Sequence, residues 1–152
     1  MHSTASDLAL LLARIALAAL FIPAGLRKLM DLGSFTASLT KQGVPYPDVL
    51  APLGAGIEFV GGIAVLIGFQ TRLAAMLMIL FTVIATLIAH RFWEFEGAAR
   101  QTQQGQFFKN LAIVGGFLAL CASGAGRYAL DWIWRRDRYG DARAPRESVV
   151  GR

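Results

Sequence analysis

Cysteine is nearly absent from this 152-residue sequence, where Cys121 stands alone. No disulfide can close within the chain, and there is no Cys-x-x-Cys pair for dithiol exchange. Both absences argue against a thiol oxidoreductase working by itself. Histidine is almost as scarce, with only His2, near the start, and His90. Neither belongs to a Cys, Asp or Glu pattern with ligand spacing, so no metal site is expected. There is no flavin, haem or iron–sulfur motif either, which leaves electron chemistry to a quinone or a partner. Charge is also thin: 16% of residues are charged, against about a quarter in an ordinary soluble domain. The net charge of +5 does not point to nucleic acid, because seven of the 15 basic residues lie between Arg127 and Arg152, beside an apolar run. There they read as a topology signal or a contact with anionic lipid.

What the sequence has in abundance is long apolar runs. Four of them, at about 8–26, 49–69, 73–90 and 107–125, are each long enough to cross a bilayer. The expected fold is all-α, an integral membrane antiparallel four-helix bundle over 1–131, with 132–152 as a basic, flexible tail. The first run has no basic residue before it and contains Arg14, so it reads as a spanning helix and not as a signal peptide. Ser6 or Asp7 is expected to cap it. Pro23 lies near its far end and Arg27 and Lys28 close it. Between Asp31 and Asp48 the chain is polar, and Ser34 to Gln42 fit a short surface helix with Phe35 and Leu39 on one face. Gln70-Thr71-Arg72 is a turn so short that the second and third spans must be antiparallel neighbours. Arg91 to Gln106 reads as a hydrophilic loop opened by Phe92, Trp93 and Phe95. In the fourth span, Ala112, Gly116, Ala119 and Ser123 make a seam for close helix packing. Tyr128, Trp132 and Trp134 fit an interfacial belt ahead of Arg135, Arg136 and Arg138. The basic residues divide eight to six in favour of the side holding both termini. That places both ends in the cytoplasm of a multi-pass protein of the cell membrane, the bacterial inner membrane.

The second run, Val49 to Phe69, has 21 residues and one charge, Glu58. Gly54, Ala55, Gly61 and Gly62 flank Glu58 at helical spacing, so its carboxylate lies in a trough of small residues. A carboxylate there cannot face lipid cheaply, so the trough should receive another helix that brings a partner. Depths counted along the first two spans make Arg14 that partner, in a structural ion pair with Glu58. A working, proton-handling carboxylate is the competing reading of Glu58.

A second polar group should gather at the opposite end. Lys28, His90, Lys109 and Asn110 lie at three helix ends, with Trp93 nearby. Cations, one histidine and an indole suit a quinone head group or a small anion. His90 is the second proton-handling candidate, able to bond a quinone oxygen and pass its proton. Interfacial lysines are also ordinary anchors, and that reading stands beside the functional one. Thr82, Thr86 and His90, spaced by four, form a polar stripe on the third span.

These residues, in this order, resemble the DoxX family of small four-helix membrane proteins. The resemblance covers about residues 8 to 131 and rests on Arg14, on Ala24-Gly25 with Lys28-Leu29, and on Ala51 to Arg72 with Glu58, Gly61-Gly62, Gly68 and Thr71-Arg72. It continues through His90, then Gln106-Phe107-Phe108-Lys109-Asn110-Leu111 with Gly115-Gly116, and Gly124 to Asp131. It implies a bundle with both ends cytoplasmic, and a membrane subunit tied to quinone-dependent sulfur oxidation or a membrane partner of redox proteins. Two functions are therefore carried forward: a membrane subunit of a quinone-linked redox system, and a non-catalytic scaffold or assembly partner for another membrane protein. Expected partners are lipids, a quinone, and a partner membrane or redox protein or a second copy of the chain.

Overall fold

In the computed structural model, which describes residues 3–134, the chain forms five helices. These are α1 (Thr4–Met30), α2 (Leu32–Lys41), α3 (Pro47–Ile67), α4 (Thr71–Ala89) and α5 (Gly97–Ser123), with a 3₁₀ turn at Phe92–Glu94. α1, α3 and α5 span a membrane, as does the stretch from α4 through the 3₁₀ turn. His2 and the greater part of the expected tail, 135–152, lie outside the described residues.

Local chemistry explains the helix ends. Ser3, not Ser6 or Asp7, caps α1, its side chain accepting from the Ser6 N–H at 3.2 Å. Asp31 closes α1 and opens α2, where its Oδ1 accepts from the Ser34 N–H at 3.1 Å. Hydrogen bonds from Ser34, side chain first and then backbone, hold the Asp31 carboxyl below its usual range. Pro47 starts α3, where its fixed φ suits the first turn. Gly68 ends α3 at φ 69°, passing its N–H to Val65 O while Phe69 N–H reaches Ala64 O.

The fourth helix corrects the sequence reading. α5 begins at Gly97, ten residues before the expected 107, so most of the presumed loop is helical. Residues 98–104 lack an apolar period but are Ala, Arg, Gln and Thr, and the alanines, arginine and glutamines favour a helix. The seam on α5 is also less internal than expected. Gly116 faces Leu17, but Ala112 and Ala119 are exposed, and Phe117 and Leu120 are the buried residues.

Packing follows the small residues on α1 and α3. A Cβ on Gly25 would lie 2.6 Å from the Phe59 backbone nitrogen, so α1 and α3 approach at near main-chain contact. Gly62 meets Phe21 and Ile22 from α1, and Gly61 meets Met78 from α4. The core gathers Phe21, Val65, Met78, Phe117 and Leu120. Leu12, Val60, Leu80 and Leu118 stand out on the surface, as residues facing lipid do.

One end of the bundle is tied by a buried arginine. Arg14, 2% exposed, donates from Nε to Val65 O (3.1 Å) and from Nη2 to Leu66 O (2.7 Å). Its Nη1 donates to Ala125 O (2.8 Å) and Tyr128 O (2.9 Å). Val65 and Leu66 lie in the last turn of α3, where carbonyls run out of helical partners. Ala125 and Tyr128 belong to the segment after α5. Asp131 in that segment accepts from the Gln70 and Thr71 N–H groups at 2.7 and 2.8 Å, capping α4 where Gln70 supplies no side-chain cap. Asp7 Oδ1 accepts from the Arg127 N–H at 3.1 Å, and Trp134 stacks edge-on against Phe69. The described chain therefore begins and ends at the same end of the bundle.

Replacing Arg14 with Met should cost about 3 kcal/mol, because four main-chain carbonyls, two buried and two partly buried, lose a charged donor. Arg14→Lys should fall between, having no planar fork to reach both α3 and the last segment. Thermal unfolding in detergent checks both, and an Arg14→Met protein melting like the wild type would contradict the account. A second outcome concerns acid. The Asp31 carboxyl titrates below its unfolded value, so its support for α2 is complete above the ordinary aspartate value and lost as pH falls through the lowered one. Protection of the α2 amides, measured relative to their intrinsic exchange at each pH, should fall over that window and show no such fall in Asp31→Asn.

Candidate functional site

Glu58 is met by Lys28, not by Arg14. The Lys28 ammonium donates to Glu58 Oε2 in an ion pair inside the bundle, the carboxylate residue being 5% exposed. The expected Arg14–Glu58 pair does not form, and the helix register shows why. Gly25 lies against Phe59, so Lys28 falls beside Glu58, while Arg14 is fourteen residues back from Lys28 along α1, about 21 Å away. The trough of Ala55, Gly61 and Gly62 does admit neighbouring helices, and α1 brings the cation. Lys28 is not sealed in: 34% of its side chain is exposed, and its ammonium lies 5.1 Å above the Phe35 ring of α2. One carboxylate and one ammonium, desolvated on one side and open toward a surface helix, can exchange a proton or take an anionic or carbonyl ligand at the lysine.

On the facing helices a line of polar groups occupies the same half of the bundle. Thr82 and Thr86 are buried and donate to the Met78 and Thr82 carbonyls at 2.6 Å each. Asn110 of α5 donates to Thr86 Oγ1 at 2.8 Å. His90 ends α4, and its Nδ1 lies 2.8 Å from Gln103 Oε1. With Gln103 accepting, Nδ1 carries the hydrogen and Nε2 is left to bind or take up a proton. Sequence alone hides Gln103, because 97–106 carries no apolar period and reads as loop. The signal was its helical spacing, seven residues before Asn110 and on the same face.

The expected cluster is thus split between separate partners. Trp93, half exposed, meets Phe92 and Phe107 edge-on with centroids 5.3 and 6.2 Å apart. Lys109 is exposed and bonds Gln106. Arg91 pairs with Glu94 at 3.1 Å and donates to Gln42 O at 3.3 Å, tying the 3₁₀ turn to the end of α2. Among the described residues no hydrogen bond or ion pair joins Lys28 or Lys109 to His90. Nor do three His, Cys, Asp or Glu residues there gather as a metal set would require. Cys121 is partly buried, its Sγ 3.6 Å from Arg72 O. A groove of about 490 Å³ runs between α3 and α4, lined by Pro52, Gly56, Val60, Leu73 and Leu77 among others.

An antiparallel helical bundle with four membrane spans and an ionised pair inside defines a class of small polytopic membrane protein. The DoxX family model matches residues 9–91, and the chain belongs to the DoxX family. It is 34% identical to the inner membrane protein YphA of Escherichia coli strain K12 over 122 residues, 80% of this chain and 87% of that protein. It is 36% identical to the inner membrane protein YqjF of the same organism over 125 residues, 82% and 91% of the two chains. A shorter likeness, 27% over 75 residues, reaches the ER-derived vesicles protein ERV29 of Saccharomyces cerevisiae, covering 49% of this chain and 24% of that one. No solved structure matches the chain.

The pair can be separated from its architecture by double substitution. Lys28→Met alone leaves a buried carboxylate without its cation and should cost about 2 to 4 kcal/mol, discounted because a third of the lysine is exposed. Lys28→Met with Glu58→Leu should melt within about 1 kcal/mol of the wild type. If the double variant is as unstable as the single one, the charges are not each other's partner.

Proposed function

We propose that the chain is the membrane subunit of a quinone-linked redox system of the inner membrane, receiving electrons from a partner protein. The observation that carries this reading is the Lys28–Glu58 pair, an ionisable couple kept inside the spanning bundle in the half that also holds His90. A quinone supplies a two-electron, two-proton couple dissolved in the bilayer. Residues of the right kind are present for its head group. His90 keeps Nε2 for a ring oxygen, Lys28 offers an ammonium, and Phe92, Trp93 and Phe107 offer ring faces. Asn110 has a second N–H beyond the one spent on Thr86, and its neighbour Lys109 supplies positive charge on α5, where both lie in mid-helix and not at the end the sequence suggests. Glu58 holds or releases a proton against Lys28, and His90 exchanges one with the loop side. The names of the two bacterial relatives support the inner membrane as the location. The basic excess beside both termini turns that end to the cytoplasm.

Gently extracted protein should carry quinone that solvent extraction releases. His90→Ala should lower the retained amount about fivefold to tenfold, the worth of one hydrogen bond. Glu58→Gln should keep the quinone but slow its reduction by the partner. Protein that carries none, and whose melting temperature ignores added quinone, would count decisively against the reading.

A second reading, a scaffold or assembly partner for another membrane protein or for a second copy, rests on α5. Ala112, Gly115 and Ala119 are exposed there, where small side chains let another helix come close. Cross-linking in native membranes should then trap a neighbour that Gly115→Leu loses.

A further inference from the structure

A dry layer, to which all four spans contribute, separates the Lys28–Glu58 pair from the end tied by Arg14. In α1 Phe21 lies between Arg14 and Lys28, and in α3 Val65 follows Glu58. Met78 stands between Thr71 and Thr82 in α4, and Phe117 and Leu120 follow Asn110 in α5. All five belong to one buried cluster, in which the Phe21 and Phe117 ring centroids are 5.5 Å apart. None of these side chains has an O–H or N–H that could relay a proton. Beyond the layer stands the Arg14 guanidinium, a buried and permanent positive charge with its donors spent on carbonyls. Such a charge raises an electrostatic barrier to protons and cations coming from that end.

The opposite end is covered more lightly. α1 stops at Met30, two residues after Lys28, and α2 follows as the cover. The Phe35 ring of α2 lies over the Lys28 ammonium, yet 34% of the lysine side chain stays exposed. α2 has no buried residue, and its inner face of Leu32, Phe35, Thr36 and Leu39 is only partly covered. Asp31 alone links it to α1, and at its far end Gly43 turns at φ 72°. Among the described residues one long hydrogen bond, Arg91 Nη2 to Gln42 O at 3.3 Å, ties that end to the start of the 3₁₀ turn. Gln42 Oε1 is buried there without a partner, a cost of the closed position that water would relieve on opening. Tyr46, at φ 51° before Pro47, holds backbone strain in the same link. A helix with no buried side chain and so few ties opens locally at little cost.

We propose that the Lys28–Glu58 pair exchanges protons and small polar ligands with the α2 side of the membrane alone, and that α2 is the lid that admits them. The seal toward Arg14 is fixed by packing and charge, whereas the seal under α2 opens by displacing one short helix. With both termini cytoplasmic, the protons of the redox reading above enter and leave on the outer side. Access to the pair is measurable whether or not a quinone binds, so the lid and the redox reading can fail separately.

Thiol accessibility of the full-length protein in sealed membrane vesicles of both orientations tests the proposal. In a Cys121→Ala background, Lys28→Cys is combined with Glu58→Gln so that no unpaired charge is buried. Ala37→Cys on α2 and Ala5→Cys at the opposite end, both at exposed positions, mark the two sides. A membrane-impermeant trimethylammonium methanethiosulfonate should modify Lys28→Cys only from the side that modifies Ala37→Cys, and more slowly. Arg91→Gln, which cuts the tie to Gln42, should speed that modification about fivefold, the worth of one hydrogen bond, and leave the rate at Ala37→Cys unchanged. Glu58→Cys with Lys28→Met gives the same comparison should the first combination fail to fold. Modification from the Ala5→Cys side at a comparable rate, or from neither side, would overturn the one-sided access. An Arg91→Gln protein modified no faster than its parent would overturn the lid.

Discussion

A guanidinium cannot shed its charge inside a bilayer, so an arginine buried there must be surrounded by acceptors. Arg14 meets that demand with main-chain carbonyls from two places far apart in the sequence, the end of α3 and the segment after α5. Those carbonyls carry partial negative charge that the last helical turn cannot satisfy by itself. Each side therefore supplies what the other lacks. The arrangement also draws in its neighbours: Gly68 must be glycine-like at φ 69°, because a Cβ there would stand 2.5 Å from that of Ala129. Asp131 can cap α4 only because the same segment is held down. One end of the fold thus depends on one side chain.

Much of the architecture was legible in the sequence. The apolar runs located the spans, Gln70-Thr71-Arg72 required an antiparallel pair, and the glycines around Glu58 announced a helix contact. The short α2 was legible as a surface helix over Ser34 to Gln42 with Phe35 and Leu39 on one face, though its Asp31 cap and its start at Leu32 were not. What failed was pairing. Acceptors for Arg14 are backbone carbonyls, which every residue has, so no side-chain pattern marks them. Counting depth from Leu8 also ignored that α1 starts at Thr4, and that register is set where Gly25 meets Phe59. Asp131 capping a helix sixty residues earlier is equally silent in sequence. Gln103 was missed because polar helical residues without apolar period look like loop.

The two ends of the bundle accordingly do different things. At the Arg14 end, acids and a buried cation are consumed by main-chain groups, and chemistry is spent on holding the chain together. At the α2 end, Glu58 has a side-chain partner that is partly open, and His90 keeps one ring nitrogen unspent among the described residues. Groups that stay available inside a membrane are costly to keep, which favours a working role for them. The groove between α3 and α4 joins neither set directly and is apolar along its walls.

The central claim is that Arg14 binds main-chain carbonyls while Lys28 neutralises Glu58. Solid-state NMR on protein in lipid bilayers, with ¹⁵N in the arginine and lysine side chains and ¹³C in carbonyl and carboxyl carbons, measures both at once. The account predicts close contacts from the Arg14 guanidinium to the Val65, Leu66, Ala125 and Tyr128 carbonyl carbons, and from Lys28 Nζ to the Glu58 carboxyl carbon. A close contact between the Arg14 guanidinium and the Glu58 carboxyl would contradict it.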